Sequence, residues 1–130
     1  MSRGRIHYPQ ELPGFVAMRD DKPVGLVTYR IDGSQCEIVT LNSVVEGLGI
    51  GSGLIDAVKS AAISAKCHRI WLITTNDNTP ALRFYQKRGF VLVAVYINAI
   101  EQSRKLKPEI PMVGLDGIPL RDEIELEMSL

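Results

Sequence analysis

Three features of the sequence predict a mixed α/β fold, with an antiparallel meander at its start and a parallel strand pair at its centre. Short alternating segments separated by polar turns fill residues 14 to 41, as hairpin-linked strands do. A glycine-studded loop then opens into an apolar pattern of helical spacing, and after that helix comes a continuous apolar run, Ile70 to Thr74. A strand, a crossover helix and a strand covered on both faces make a right-handed unit with its two strands parallel.

Taken in order, residues 1 to 13 are polar, contain Pro9 and Pro13, and read as an arm or loop. Gly14 to Met18 forms a first strand, the Arg19 to Lys22 turn follows, and Val24 to Ile31 alternates as a second. Asp32, Gly33 and Ser34 turn the chain into a third strand, Gln35 to Leu41. The helix after the loop shows Ile50, Leu54, Ile55, Val58, Ala61, Ala62 and Ala65 on one face, with Ser52, Asp56, Lys59 and Ser60 on the other, and runs to about Lys66. Beyond Ile70–Thr74, Thr79 suits an N-cap, Pro80 the first helical position and Gly89 the left-handed residue after the last turn, so a helix of about nine residues fits between. Phe90 to Tyr96 is a further strand. A helix from about Asn98 is stopped by Pro108, and a loop with Pro111, Gly114, Gly117 and Pro119 leads to the last strand. There Ile124, Leu126 and Met128 alternate with Glu123, Glu125 and Glu127, an acidic row expected on an edge strand, where it would be solvated or would receive a cationic amine. No repeat, low-complexity tract or domain boundary is visible, so one domain over residues 1 to 130 is expected.

The glycine stretch is Gly47, Leu48, Gly49, Ile50, Gly51, Ser52, Gly53. The first turn of a helix has amides without intrahelical partners and a partial positive charge, and glycine removes the side chains that would keep an anion away. Phosphate is the natural ligand. The dinucleotide fingerprint fails in every register, because the last position falls on Ser52, Leu54 or Asp56, and the nucleoside-triphosphate loop lacks its lysine. The other reading is a turn that only lets the helix pack closely on a strand.

With 15 basic and 15 acidic residues the formal net charge is zero, so nothing marks a nucleic-acid or anionic-membrane partner, and neither is expected. No apolar run approaches membrane-spanning length, and the N-terminus lacks the hydrophobic core of a secretory signal, which points to a cytoplasmic location. The two cysteines, Cys36 and Cys67, border buried strands and read as core residues. Cys67 and His68 are adjacent, but neighbouring strand side chains point to opposite faces and no second ligand pair exists, so no metal is expected.

Two segments resemble the GNAT superfamily of acetyl-CoA-dependent N-acetyltransferases. Glu46, Gly47, Leu48, Gly49, Ile50, Gly51 is similar to its pyrophosphate motif [QR]xxGx[GA], and Asn78, Thr79, Pro80, Ala81, Leu82, Arg83, Phe84, Tyr85, Gln86, Lys87, Arg88, Gly89, Phe90 to its NxxAxxFYxKxGF signature. The resemblance implies a cleft in which Gln35 to Leu41 and Ile70 to Thr74 splay apart and the pantetheine arm of acetyl-CoA inserts as a pseudo-strand. It implies backbone groups of Leu41, Asn42 and Ser43 on the pantetheine, the amides of Gly47, Leu48, Gly49, Ile50, Gly51, Ser52 and Gly53 on the pyrophosphate, and the Asn78 side chain on the pantetheine amides. By itself Asn78 reads equally as a turn residue.

Attack of an amine on the thioester expels a thiolate, and the resemblance makes Tyr85 the general acid beside it; the residue alone reads as an aromatic packed with Phe84. Removing a proton from an alkyl ammonium at neutral pH costs roughly 4–5 kcal/mol relative to the free amine, so a base is wanted. Cys36, Glu37, Ile38 resembles the family's Ala-Glu-Ile context and makes Glu37 that base, the other reading being a solvated strand residue. The sequence departs from the pattern in having Glu46 where Gln or Arg is usual, and only about thirteen residues precede the first strand. The family's first strand and helices are therefore expected to be lacking. A homodimer partner, or a large acceptor, would then supply the wall of the acceptor site. The expected activity is acetyl transfer to a primary amine of a small molecule or peptide, the alternatives being an acyl-CoA-binding module or regulatory subunit without turnover and a nucleotide-binding protein.

Overall fold

The computed structural model describes residues 12–44 and 49–130; most of the expected N-terminal arm, and Val45, Glu46, Gly47 and Leu48 of the glycine segment, lie outside them. The strands and α-helices of the described residues follow in order: β1 (Gly14–Arg19), β2 (Lys22–Asp32), β3 (Gln35–Ser43), α1 (Ile50–Ser64), β4 (Arg69–Thr75), α2 (Thr79–Lys87), β5 (Val91–Tyr96), α3 (Ala99–Leu106) and β6 (Glu123–Ser129). The hydrogen-bonded strand order is β1-β2-β3-β4-β6-β5. This is the mixed α/β sheet expected, antiparallel in its first three strands and parallel between β3 and β4. The described residues up to Trp71, with Ser129 and Leu130, form one compact unit, and Leu72 to Met128 another.

In the first unit, Asp20 and Asp21 carry the β1–β2 turn at φ 51° and 62°. Two consecutive positive φ values match the right-handed twist of a hairpin, and Asp tolerates them better than most residues. The β3–β4 register spans three pairs, Gln35↔Arg69, Cys36↔Ile70 and Glu37↔Trp71, whereas β3 stays paired with β2 as far as Ser43. Helix α1 buries Leu54, Ile55, Val58 and Ala62. It ends two residues before the expected Lys66, because Lys66 turns left-handed at φ 63° and the Lys66 and Cys67 amides close back on the carbonyls of Ile63 and Ala62. Ala65, expected on the apolar face, is instead the exposed C-cap.

Both cysteines are free and buried in this unit. Burial, with Cys67 and Glu37 nearby, pushes the Cys36 thiol up to about 12. Since the thiolate is the nucleophile, an aromatic disulfide reagent at pH 8 is expected to leave Cys36 untouched in the native protein and to label it once guanidinium unfolds the chain. Labelling of native Cys36 within minutes would contradict this.

In the second unit, the turn after β4 is knitted to the entry of β6. Asn76 Oδ1 accepts from the Arg121 and Asp122 amides at 3.0 and 2.9 Å, and its Nδ2 donates to the Pro119 carbonyl at 2.8 Å. Arg104 of α3 donates to the carbonyls of Ile110, Pro111 and Leu120, holding the loop between α3 and β6. The expectation of an acidic edge on β6 is corrected: β6 lies between β4 and β5, with Glu123 and Glu125 buried. Tyr96 of β5 donates its hydroxyl to Glu125 Oε1 at 2.6 Å. Alternation reports two faces and not which strands flank them; the long connection through α3 carries β6 past β5 into the sheet. No helix among the described residues is long and apolar enough to cross a membrane. None of the described His, Cys, Asp and Glu residues gather in a group able to hold a metal ion.

Candidate functional site

Gly49 caps α1 at φ 70°, ψ 14°, with no side-chain cap and no acidic residue in the first turn. That left-handed geometry is what asks for glycine here. The Gly53 amide donates to the Gly49 carbonyl at 2.9 Å, closing the first helical hydrogen bond. The amides of Ile50, Gly51 and Ser52 precede it, where helix geometry offers no intrahelical acceptor. Among the described residues, a Cβ at Gly53 would meet nothing within 4 Å. Gly53→Ala is therefore expected to stabilise the protein by about 0.5–1 kcal/mol without weakening any anion bound at the helix start, read by thermal unfolding with and without ligand. A loss of ligand binding would restore Gly53 to the site.

The end of β3 meets this helix start through a residue that sequence reasoning missed. A Cβ built on Gly25 of β2 would lie 2.7 Å from Ile50 Cγ2, 3.1 Å from Leu54 Cδ1 and 3.2 Å from the Asn42 carbonyl oxygen. Gly25 thus lets the first turn of α1 settle against β2 beside Asn42, with Ser43 opposite Gly25 in register. An isolated glycine inside a strand pattern was the available signal. Leu41 is half-buried there, while Asn42 and Ser43 are exposed.

Glu37 is 3% exposed and sits opposite Arg30 in the β2–β3 register, its Oε1 3.4 Å from the guanidinium. Of the two readings of this residue, the solvated one is set aside by its burial.

Asn78 and Tyr85 belong to the second unit. Asn78, not Thr79, caps α2: its Oδ1 accepts from the Ala81 amide at 3.2 Å, which moves Thr79 and Pro80 one position into the helix. The other end explains the signature physically. Gly89 at φ 97° lets the Gly89 amide reach the Gln86 carbonyl and the Phe90 amide reach the Tyr85 carbonyl. This double closure brings an apolar residue after the glycine onto the last turn. Phe90 accordingly meets Tyr85 edge-on, centroids 5.3 Å apart, and Phe84 meets Tyr85 at 5.1 Å and 90°. The cap thus pins the tyrosine ring.

Asp77, just before Asn78, escaped notice in the sequence. It is 6% exposed, its Oδ2 accepts from the Leu115 amide at 2.9 Å, and it presses so closely on Gly114 that no Cβ fits there.

Burial pushes the Tyr85 phenol up to about 12. Its hydroxyl has no hydrogen-bond partner among the described residues. A raised phenol pKa means that the folded state favours the protonated form. The associated stability, roughly 3 kcal/mol, is fully present below pH 10 and lost as pH rises from 10 to 12. Unfolding followed across pH 9–12 should show that decline, and Tyr85→Phe should flatten it; a decline unchanged in the variant would assign it to another group.

The model of the family described as "Acetyltransferase (GNAT) family" matches residues 2–90. YdhI of Bacillus subtilis, described as an uncharacterized protein, is 52% identical over 115 residues, covering 88% of this chain and 72% of YdhI. Among solved structures, the IAA acetyltransferase of Bacillus cereus superposes with a TM-score of 0.79 at 23% identity, over 93% of this chain and 79% of that one. A GNAT family acetyltransferase of Elizabethkingia anophelis, with acetyl-CoA bound, superposes with a TM-score of 0.75 at 25% identity, over 88% and 74%. The family match and the shared fold carry the conclusion that this chain is a member of the GNAT acetyltransferase family.

Proposed function

We propose that the chain moves an acetyl group from acetyl-CoA to a primary amine of a small molecule or peptide by direct attack. The observation that carries this reading is Tyr85, a buried phenol held protonated at the end of a capped helix, whose hydroxyl makes no hydrogen bond to any of the described residues. The acetyl-CoA seen in the Elizabethkingia relative supports the donor.

In this reading the amides of Ile50, Gly51 and Ser52 hold the pyrophosphate, with Gly49 presenting no side chain at the helix start. Backbone groups of Leu41, Asn42 and Ser43 hold the pantetheine as an added strand, and Asn78 bonds its amides while capping α2. The amine nitrogen attacks the thioester carbonyl, the C–N bond forms, and the C–S bond breaks with its electron pair leaving on sulfur. A phenol near 12 is a weaker acid than a thiol near 8.5, so complete transfer to the thiolate is about 5 kcal/mol uphill. Tyr85 therefore acts by donating a hydrogen bond to the departing sulfur, whose proton comes in the end from the acceptor nitrogen. Glu37 takes the acceptor's first proton through water, with Arg30 holding its carboxylate in place.

Thiol release from acetyl-CoA in the presence of an amine panel tests the reading. Turnover with at least one primary amine, and a large fall in kcat in Glu37→Gln with the KM for acetyl-CoA retained, are expected. Tight acetyl-CoA binding without turnover for any amine would make the chain a binding module instead, and an unchanged kcat in Glu37→Gln would free that residue from its role.

A further inference from the structure

We infer that Asp77 is a positioning residue for acetyl-CoA, bracing Asn78 against the hairpin that precedes β6; the inference rests on the proposed role of Asn78 on the pantetheine. Within the second unit, residues 112 to 120 form that small hairpin. The Leu120 amide donates to the Met112 carbonyl at 3.0 Å, the Gly114 amide to the Ile118 carbonyl at 2.8 Å, and Val113 bridges Pro119. Its base is held by Arg104, which donates to the carbonyls of Pro111 and Leu120. Its tip is held by Asp77. There Oδ2 accepts from the Leu115 amide at 2.9 Å, and the carboxyl group lies against Gly114, where no Cβ fits.

Nothing local asks for a carboxylate at this position. The turn is already tied to the entry of β6 by Asn76, and α2 is already capped by Asn78. Asp77 is 6% exposed, and its Oδ1 is buried without a hydrogen bond to any described residue. Burying an acceptor unpaired is costly, and a smaller side chain would avoid that cost. What the smaller side chain could not do is reach Leu115. The main chain around Asp77 is fixed as well: its carbonyl accepts from the Thr79 amide at 2.9 Å, and the Asn78 amide donates to the Thr75 carbonyl at 3.0 Å. A residue held by both side chain and main chain holds the next one. The cap spends Asn78 Oδ1 on the Ala81 amide and leaves Nδ2 as the donor for a pantetheine carbonyl, so the brace sets where that donor points. The far end of α2 does not depend on the brace, because Tyr85 is held there by the Gly89 closure and by Phe90. Loss of the brace therefore displaces Asn78 and spares Tyr85: cosubstrate affinity falls while turnover at saturation does not.

Isothermal titration of the full chain with acetyl-CoA, beside steady-state kinetics and thermal unfolding, tests this. Asp77→Ala is expected to raise the Kd by about tenfold with kcat within about twofold of the parent. Asp77→Asn, whose amide oxygen still accepts from Leu115, is expected to keep the Kd within about twofold. Gly114→Ala breaks the same contact from the hairpin side and should reproduce the rise. Asn78→Ser keeps a capping oxygen without the amide donor; it should raise the Kd itself, and adding Asp77→Ala to it should raise the Kd no further. A parent-like Kd in both Asp77→Ala and Gly114→Ala, with binding weakened in Asn78→Ser, would overturn the brace alone. A rise in Asp77→Asn as large as in Asp77→Ala, or one that persists undiminished beside Asn78→Ser, would do the same. A parent-like Kd in Asn78→Ser would instead remove Asn78 from the cosubstrate site, and the inference with it.

Discussion

Tyr85→Phe is expected to lower turnover by about 10²- to 10³-fold while leaving the KM for acetyl-CoA and the melting temperature close to those of the parent. The substitution removes one oxygen. The ring, which packs edge-on against Phe84 and Phe90, stays, so the helix cap and its apolar contact survive. The hydroxyl contributes no hydrogen bond among the described residues, and its loss leaves no buried group unpaired. A structural tyrosine and a catalytic one therefore give opposite results: the first predicts no change in any quantity, the second a fall in kcat alone. Tyr85→Ala is the contrasting control. It deletes the ring as well, and is expected to cost about 3–5 kcal/mol through the cavity left beside Phe90. Steady-state kinetics with thiol detection, run beside thermal unfolding, separates the cases, and full turnover in Tyr85→Phe would remove the residue from the reaction.

The parts of this fold that could be read from the sequence are those whose cause is local. Gly89 adopts positive φ as its position suggested, Pro80 sits in the first turn of α2, and the apolar stripe of α1 faces inward at Leu54, Ile55, Val58 and Ala62. What could not be read depends on residues distant along the chain. The interior position of β6 is set by the long connection through α3, and its acidic row looks the same in sequence whether it borders water or a neighbouring strand. Asp77 reads as one more polar residue in a turn until Leu115 and Gly114, almost forty positions later, close on it. Glu37 looks solvated until β2 and β4 flank it, with Arg30 opposite. The candidate site divides in the same way: its motifs were legible, and the residues supporting them were not.

Gly25 is the clearest of those supports, and substituting it is expected to couple stability to cosubstrate binding. A methyl group at this position would stand 2.7 Å from Ile50 Cγ2 and 3.2 Å from the Asn42 carbonyl oxygen. Neither neighbour yields easily: Cγ2 belongs to a β-branched side chain with one preferred helical rotamer, and the carbonyl is backbone. The first turn of α1 must therefore move outward. Overpacking of this kind costs about 1–3 kcal/mol, so Gly25→Ala should fall within that range and Gly25→Val above it. The moving turn carries the amides of Ile50, Gly51 and Ser52 with it; with the pyrophosphate held there as proposed, a shift of about 1 Å would lengthen each of its hydrogen bonds, and the Kd for acetyl-CoA is expected to rise by about tenfold. Pairing Gly25→Ala with Ile50→Ala, which deletes the obstructing Cγ2, should recover part of both losses, a positive coupling that two independent substitutions would not show. If affinity falls in Gly25→Ala and the double variant recovers nothing, the close approach of β2 to α1 is not what sets the anion site.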